Sequence, residues 1–194
     1  MKESPWTLRN REPILEVLRQ YLVTNKSLLE VGSGTGQHAA FLGGKFPKLT
    51  WQTSDVKENH SEIQAWLDDF KLSNILYPIA FQVGVDRFPV GDFDFVFSAN
   101  TLHIMSWDEV QLLIKLLGEN LNKESMVFFY GPFNYKGTFT TGSNADFDQW
   151  LKNRNPKSGI RHFEKVEMCM QAAGFDLVKD HTMPANNRLL VFRK

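Results

Sequence analysis

The densest chemical signal in the chain is Leu28-Leu29-Glu30-Val31-Gly32-Ser33-Gly34-Thr35-Gly36-Gln37-His38. An apolar run that reads as a buried strand enters three alternating glycines, and a helical pattern follows. Glycine takes φ > 0 without a Cβ penalty and lets the backbone approach a ligand closely. Amides at the start of the following helix suit an anionic group such as a carboxylate. Asp55 closes the next strand pattern, roughly twenty residues after the loop.

Two ligand classes fit a glycine-rich turn of this kind. A dinucleotide site wants G-x-G-x-x-G, with a third glycine where helix and strand pack. Counted from Gly32, that third position is Gln37. The spacing present is G-x-G-x-G, with the acidic Glu30 two positions ahead of the first glycine.

That pattern resembles the first motif of class I S-adenosylmethionine-dependent methyltransferases. The likeness spans most of the chain and is closest to a small methyltransferase-like family catalogued as a domain of unknown function. Its matching segments are Arg9–Leu15, the glycine loop, Ala99–Ile104, Phe129–Phe133, Ser143–Asp148 and Met183–Asn187. The resemblance implies a Rossmann-like α/β sandwich, with a seven-stranded, mostly parallel sheet and a C-terminal antiparallel hairpin. It implies S-adenosylmethionine as cofactor. The loop residues Glu30, Gly32, Ser33, Gly34, Gly36, Gln37 and His38 would wrap the methionine part. Asp55 would hold the ribose hydroxyls. Gln82 and Val83 would meet the adenine, with Asp86 as the rival to Gln82. Asn100, Thr101 and His103 would line the cofactor near its sulfonium.

His103 and Tyr130 are the candidate catalytic residues. An imidazole titrates near neutrality and suits a general base, although a histidine in a turn equally bonds to backbone. Tyr130 and Asn134 flank Gly131-Pro132, where a hydroxyl or amide would orient a nucleophile. Arg11 is assigned to the cofactor as well: Arg9–Glu12 precede the first helical pattern and read as a lid with an arginine near a carboxylate. Phe133, Tyr135 and Phe139 would form an apolar cover over the acceptor, which enters between that lid, Asn100–His103 and the loop itself. Cys169, beside Val166 and Met170, reads as a core thiol. No metal set stands out, because the five histidines lack ligand-like spacing.

Alternating helical and strand patterns supply the frame for these residues. Strands are predicted at Ser27–Val31, Leu49–Ser54, Ile79–Val83, Phe93–Ala99 and Met126–Tyr130, with closing strands at Asp176–His181 and Arg188–Phe192. Helices are predicted after Pro13, at Thr35–Phe46, along Ile63, Trp66, Leu67 and Phe70, and after a Ser106/Glu109 capping box. Two more follow at Ala145–Lys152 and Phe163–Ala173, the second ended by Gly174. The whole chain, 1–194, reads as one methyltransferase domain, with 1–25 as an N-terminal cap segment and helix and 131–160 as a substrate-side insertion.

Bulk properties narrow the partners. Twenty-two basic residues balance twenty-two acidic ones, so no net charge favours nucleic acid. One cysteine rules out an intrachain disulfide. No apolar run is long enough for a bilayer, no signal core follows the first charges, and a cytoplasmic protein is expected. A small-molecule acceptor is expected rather than a protein; the oligomeric state is open. Two other functions compete: a non-catalytic S-adenosylmethionine-binding sensor or scaffold, and an NAD-dependent oxidoreductase, which Gln37 argues against.

Overall fold

The computed structural model describes residues 5–23 and 25–194. The chain divides into two compact units, residues 1–98 and 99–194. In chain order the elements are α1 (Pro5–Leu18), β1 (Ser27–Val31), α2 (Gln37–Gly43), β2 (Thr50–Asp55), α3 (His60–Phe70), β3 (Ile75–Ala80), β4 (Phe95–Ala99) and α4 (Trp107–Asn120). There follow β5 (Met126–Gly131), β6 (Phe133–Asn134), α5 (Gly142–Arg154), β7 (Arg161–His162), α6 (Phe163–Ala172), β8 (Asp176–Met183) and β9 (Asn187–Arg193). The main sheet has seven strands in the order β3-β2-β1-β4-β5-β9-β8, and β6 and β7 form a separate pair. Strand β1 runs parallel to β2 and β4, and β2 parallel to β3. Strand β9 is antiparallel to both β5 and β8. This is the α/β sandwich with a C-terminal antiparallel hairpin that the sequence predicts. Among the described residues no helix is long and apolar enough to cross a membrane.

In the first unit, Leu28–Val31 of β1 and Phe95–Ser98 of β4 are buried without alternation, as in a parallel strand covered on both faces. Helix α1 contributes Ile14, Leu15 and Leu18, α2 contributes Ala39 and Leu42, and α3 contributes Ile63, Trp66 and Leu67. Phe70 departs from its expected place in that stripe and is 44% exposed. The third strand begins at Ile75, four residues before the expectation, and carries Pro78. An edge strand tolerates proline because one side of its backbone needs no ladder partner. Pro13 does not open the first helix. Helix α1 is described from Pro5 onward, and Pro13 lies inside it. Pro13 donates no backbone bond to the turn before it, and in that turn Asn10 is buried and bonded to His38.

In the second unit, β5 is buried along its whole length. Phe128, Phe129 and Phe192 are buried, as are Val110, Leu113 and Leu117 of α4 and Val166 and Met170 of α6, and Phe129 meets Phe192 edge-on at 6.3 Å. Cys169, on the same helix, is half-buried rather than a core thiol. The closing hairpin turns at Pro184–Asn187 with φ of 56° at Ala185 and 60° at Asn186, which matches the right-handed twist of paired strands.

Within the 131–142 segment, two of the three rings expected to cover an acceptor are packed against other elements. Phe133 is 2% exposed, and β6 pairs with β7. Tyr135 stacks on Phe163 at 5.1 Å and donates to Asp180 at 2.7 Å. Lys136 and Gly137, both with positive φ, make a tight turn closed by Tyr135 and Thr138. Of the three rings proposed as a cover, only Phe139 is exposed.

The predicted capping box opens α4: Ser106 accepts from the Glu109 amide at 3.2 Å, and Glu109 accepts from the Ser106 amide at 2.7 Å. Ser106→Ala is expected to lower unfolding free energy by about 1 kcal/mol. Urea denaturation checks this, and an unchanged midpoint would show that solvent replaces the cap.

Candidate functional site

The first unit builds the glycine turn from β1 and β2. Their register sets Val31 opposite Ser54, so the amides of Gly32 and Ser33 both donate to the Ser54 carbonyl at 3.0 Å. Gly32, Gly34 and Gly36 have φ of 75°, 59° and 87°, the left-handed region that side chains resist. At Gly36 a Cβ would also lie 3.0 Å from the Ile63 backbone. Asp55, last in β2, accepts from the Gly34 amide at 2.6 Å, the Val56 amide at 2.7 Å and the Asn59 side chain at 2.9 Å. A carboxylate has about four acceptor positions, so one stays open beside these three. Seating a diol on both oxygens therefore requires one protein donor to yield.

Glu30 faces inward. Its Oε2 accepts from Ser33 Oγ and from Trp51 Nε1, each at 3.0 Å. Ser33 Oγ also accepts from the Ser54 amide. Glu30 thereby clamps the turn to β2. Burial pushes its carboxyl up to about 7, against the Trp51 and Ser33 bonds and with a smaller push from Asp55. His38 is buried and bonded to Asn10 Oδ1 at 2.8 Å, and burial lowers its imidazole to about 4. Arg11 lies one residue on, its guanidinium 4.5 Å from the Phe41 ring centroid. Arg11 Nε is buried with no hydrogen-bond partner. The Arg9–Glu12 segment is thus part of a helix fastened to α2, not a free lid before one.

After β3, the Phe81 amide donates to the Asp55 carbonyl, which brings the next residue, Gln82, to the same edge. Asp86 accepts from the Gln82 amide at 2.8 Å, whereas the Gln82 side chain is exposed. Val83 is buried.

The second unit carries the other candidates. Asn100 has φ of 58° and donates its amide to the Tyr130 carbonyl at 2.8 Å. A non-glycine residue in that region is a strained position of the kind concentrated at functional sites. A Cβ on Gly131 would lie 3.5 Å from His103 Nδ1 and 3.8 Å from Asn100 Oδ1, so the three residues adjoin. His103 is buried and meets the Phe147 ring edge-on at 5.3 Å. Burial, then the Arg161 guanidinium, lowers its imidazole to about 4. Thr101 donates its hydroxyl to the Ala99 carbonyl. The Tyr130 side chain is buried.

No sequence motif marks what holds this second group. Residues 158–161 bind all four carbonyls from Leu102 to Met105. Arg161 Nε donates to Leu102, Gly159 N to His103 at 2.9 Å, Ser158 Oγ to Ile104 at 2.6 Å, and Arg161 Nη2 to Met105. More than fifty residues separate these partners, so no local pattern marks them. Among the described residues no group of three or more His, Cys, Asp or Glu is placed to hold a metal ion.

With this geometry in hand, the comparisons place the chain. The family model described as "Protein of unknown function (DUF938)" matches residues 1–194, and the chain belongs to that family. Among solved structures it is similar to an O-methyltransferase family protein from Burkholderia thailandensis (TM-score 0.79, 15% identity, 94% of this chain and 55% of that one). It is also similar to the S-adenosylmethionine-dependent methyltransferase SibL (0.81, 19%, 97% and 55%). A third is an O-methyltransferase family 2 protein from Planctomyces limnophilus in complex with apigenin (0.79, 15%, 95% and 61%). At these identities the likeness is one of fold, the class I methyltransferase fold, and the chain spans little more than half of each relative's length.

The buried ionisable groups give the stability a definite pH dependence. His38 and His103 fold with pKa values of about 4 against 6.5, so the unfolded chain takes up protons first. Their contribution is complete above pH 6.5 and is lost as pH falls toward 4. Glu30, raised from 4.5 to about 7, has the opposite sign: its contribution is complete below 4.5 and is lost as pH rises through 7. Glu30→Gln removes that offset. Its urea midpoint should fall more steeply than the wild-type midpoint between pH 6.5 and 4.5. Parallel profiles would show that Glu30 folds as an ordinary ionised carboxylate.

Proposed function

We propose that the chain binds S-adenosylmethionine through its first unit and catalyses methyl transfer to a small-molecule acceptor. The observation that carries this reading is the set of three left-handed glycines with Asp55 bonded onto the middle one. Gln37 supports it over a dinucleotide, because a buried glutamine stands where that site wants a third glycine. The unpartnered Arg11 Nε also fits: a buried guanidinium nitrogen calls for an anion, and the methionine part of the cofactor carries a carboxylate. The proposed cofactor residues are Arg11, Glu30, the Gly32–Gly36 turn with Ser33, then Gln37, His38, Asp55, Gln82 and Val83. Asn100, Thr101 and His103 join them by resemblance. Glu30 and His38 act through the protein contacts already described, holding the turn and α1.

When bound, the cofactor supplies the electrophilic methyl and the leaving group. The chain's own task is to align the acceptor and keep water out, which accounts for much of the rate in such displacements. His103, with its imidazole lowered to about 4, is neutral at pH 7 and a weak base. It orients an acceptor by taking a hydrogen bond better than it removes a proton. Tyr130 is proposed to shape the same end of the second unit. The apigenin complex of the Planctomyces protein is in keeping with a small, flat acceptor.

Asp55→Ala should weaken binding of S-adenosylmethionine by about 1.5–3 kcal/mol through loss of a charge-assisted contact, in a protein that still unfolds cooperatively. Calorimetry reads it, paired with radiolabelled methyl transfer into small-molecule and protein pools. Unchanged affinity in the folded variant would remove Asp55 from the site. Binding without transfer into any pool would leave a binding module in place of an enzyme.

A further inference from the structure

Asn134 follows the buried β5 by three residues and is itself 4% exposed. Its backbone is fixed, because β6 pairs with β7 and sets Asn134 opposite His162. Its Oδ1 is one of two buried side-chain polar atoms without a hydrogen-bond partner among the described residues. A buried amide oxygen left unpaired costs about 1–3 kcal/mol, and such exceptions in folded proteins call for a specific explanation. The other such atom, Arg11 Nε, awaits an anion. An unpaired oxygen awaits the reverse, a donor hydrogen.

The surroundings point to the same polarity. His103, neutral because burial and Arg161 disfavour its charged form, keeps one nitrogen as an acceptor. Asn100 Oδ1 adjoins it beside Gly131. Among the cations of this region, Arg161 is committed to the carbonyls of Leu102, Met105 and Lys157, and Arg188 is paired with Asp180 at 2.7 Å. Lys152 is paired with Asp148 at 2.6 Å. This end of the second unit offers hydrogen-bond acceptors and no free cation on the 158–161 segment to meet an anion.

We propose that Asn134 Oδ1 is a specificity-determining contact that reads an O–H or N–H hydrogen on the methyl acceptor. Resting on the methyl-transfer reading, the assignment narrows the acceptor group to one that carries an O–H or N–H hydrogen, as hydroxyl and amine compounds do. It disfavours methyl transfer to carboxylates and thiolates, which bring no donor hydrogen. Phe133, on the preceding position, points into the packed interior, so the strand pairing that buries Phe133 also holds Asn134 in one orientation.

Phenol and anisole test this, because they differ in the donor hydrogen. Their binding to the wild-type chain and to Asn134→Leu is measured by NMR titration. Wild type should prefer phenol by about fivefold, the worth of one hydrogen bond, and the preference should vanish in the variant. No preference in wild type, or a preference that survives Asn134→Leu, overturns the assignment. Stability gives a second arm that needs no ligand. An oxygen kept unpaired for a ligand adds nothing to folding, so Asn134→Leu should unfold at the wild-type temperature or above it. A lowered melting temperature would mean the amide has a structural partner, such as a buried water, and would also overturn it. S-adenosylmethionine affinity should be the same in both proteins. Failure of the cofactor reading would appear there, in wild type, independently of the phenol result.

Discussion

The Asp55 carboxylate accepts from the Gly34 amide at 2.6 Å, which joins the end of β2 to the turn that leaves β1. The bond exists only because the two strands run parallel in a register that ends Val31 opposite Ser54. That register hands the Ser54 carbonyl to Gly32 and Ser33 and leaves the following carboxylate level with Gly34. The turn must then pass through three left-handed residues, and at Gly36 any side chain would strike Ile63. A hydrogen bond to a charged group contributes about 1.5–3 kcal/mol, enough to hold the glycine turn in one conformation.

Behind the turn lies a buried layer with its own electrostatics. Glu30 is held by Trp51 and Ser33, and His38 by Asn10. Each is a titratable group kept away from water, which costs free energy unless the group is neutral or well bonded. Burial shifts Glu30 and His38 toward their neutral forms. The acidic residue of the motif thus serves the loop's shape more than it serves a ligand's charge.

Much of the frame was legible in the sequence because it is written in local pattern. The first strand and the capping box of α4 were read residue for residue, and the order of strands and helices followed from alternating periods. Spacing and resemblance mark the glycine loop and Asp55 as candidates, and the structure joins the two by a hydrogen bond. What failed depended on distant partners. Pro13 reads as a helix start until the residues before it are seen to be helical as well. Phe133 and Tyr135 look like a mobile cover until β7, Phe163 and Asp180 are in place. The 158–161 segment carries no motif, yet it fixes every carbonyl from Leu102 to Met105.

The central claim is that the Gly32–Gly36 turn and Asp55 are a site for S-adenosylmethionine. The most direct measurement is an amide NMR titration of the chain with S-adenosylhomocysteine and, separately, with NAD. The demethylated cofactor should shift the amides of Gly32 to Gly36 and of Val56, which bonds to the same carboxylate, in a saturable way, while NAD leaves them in place. No response of those amides to S-adenosylhomocysteine, or a saturable response to NAD alone, would contradict the account.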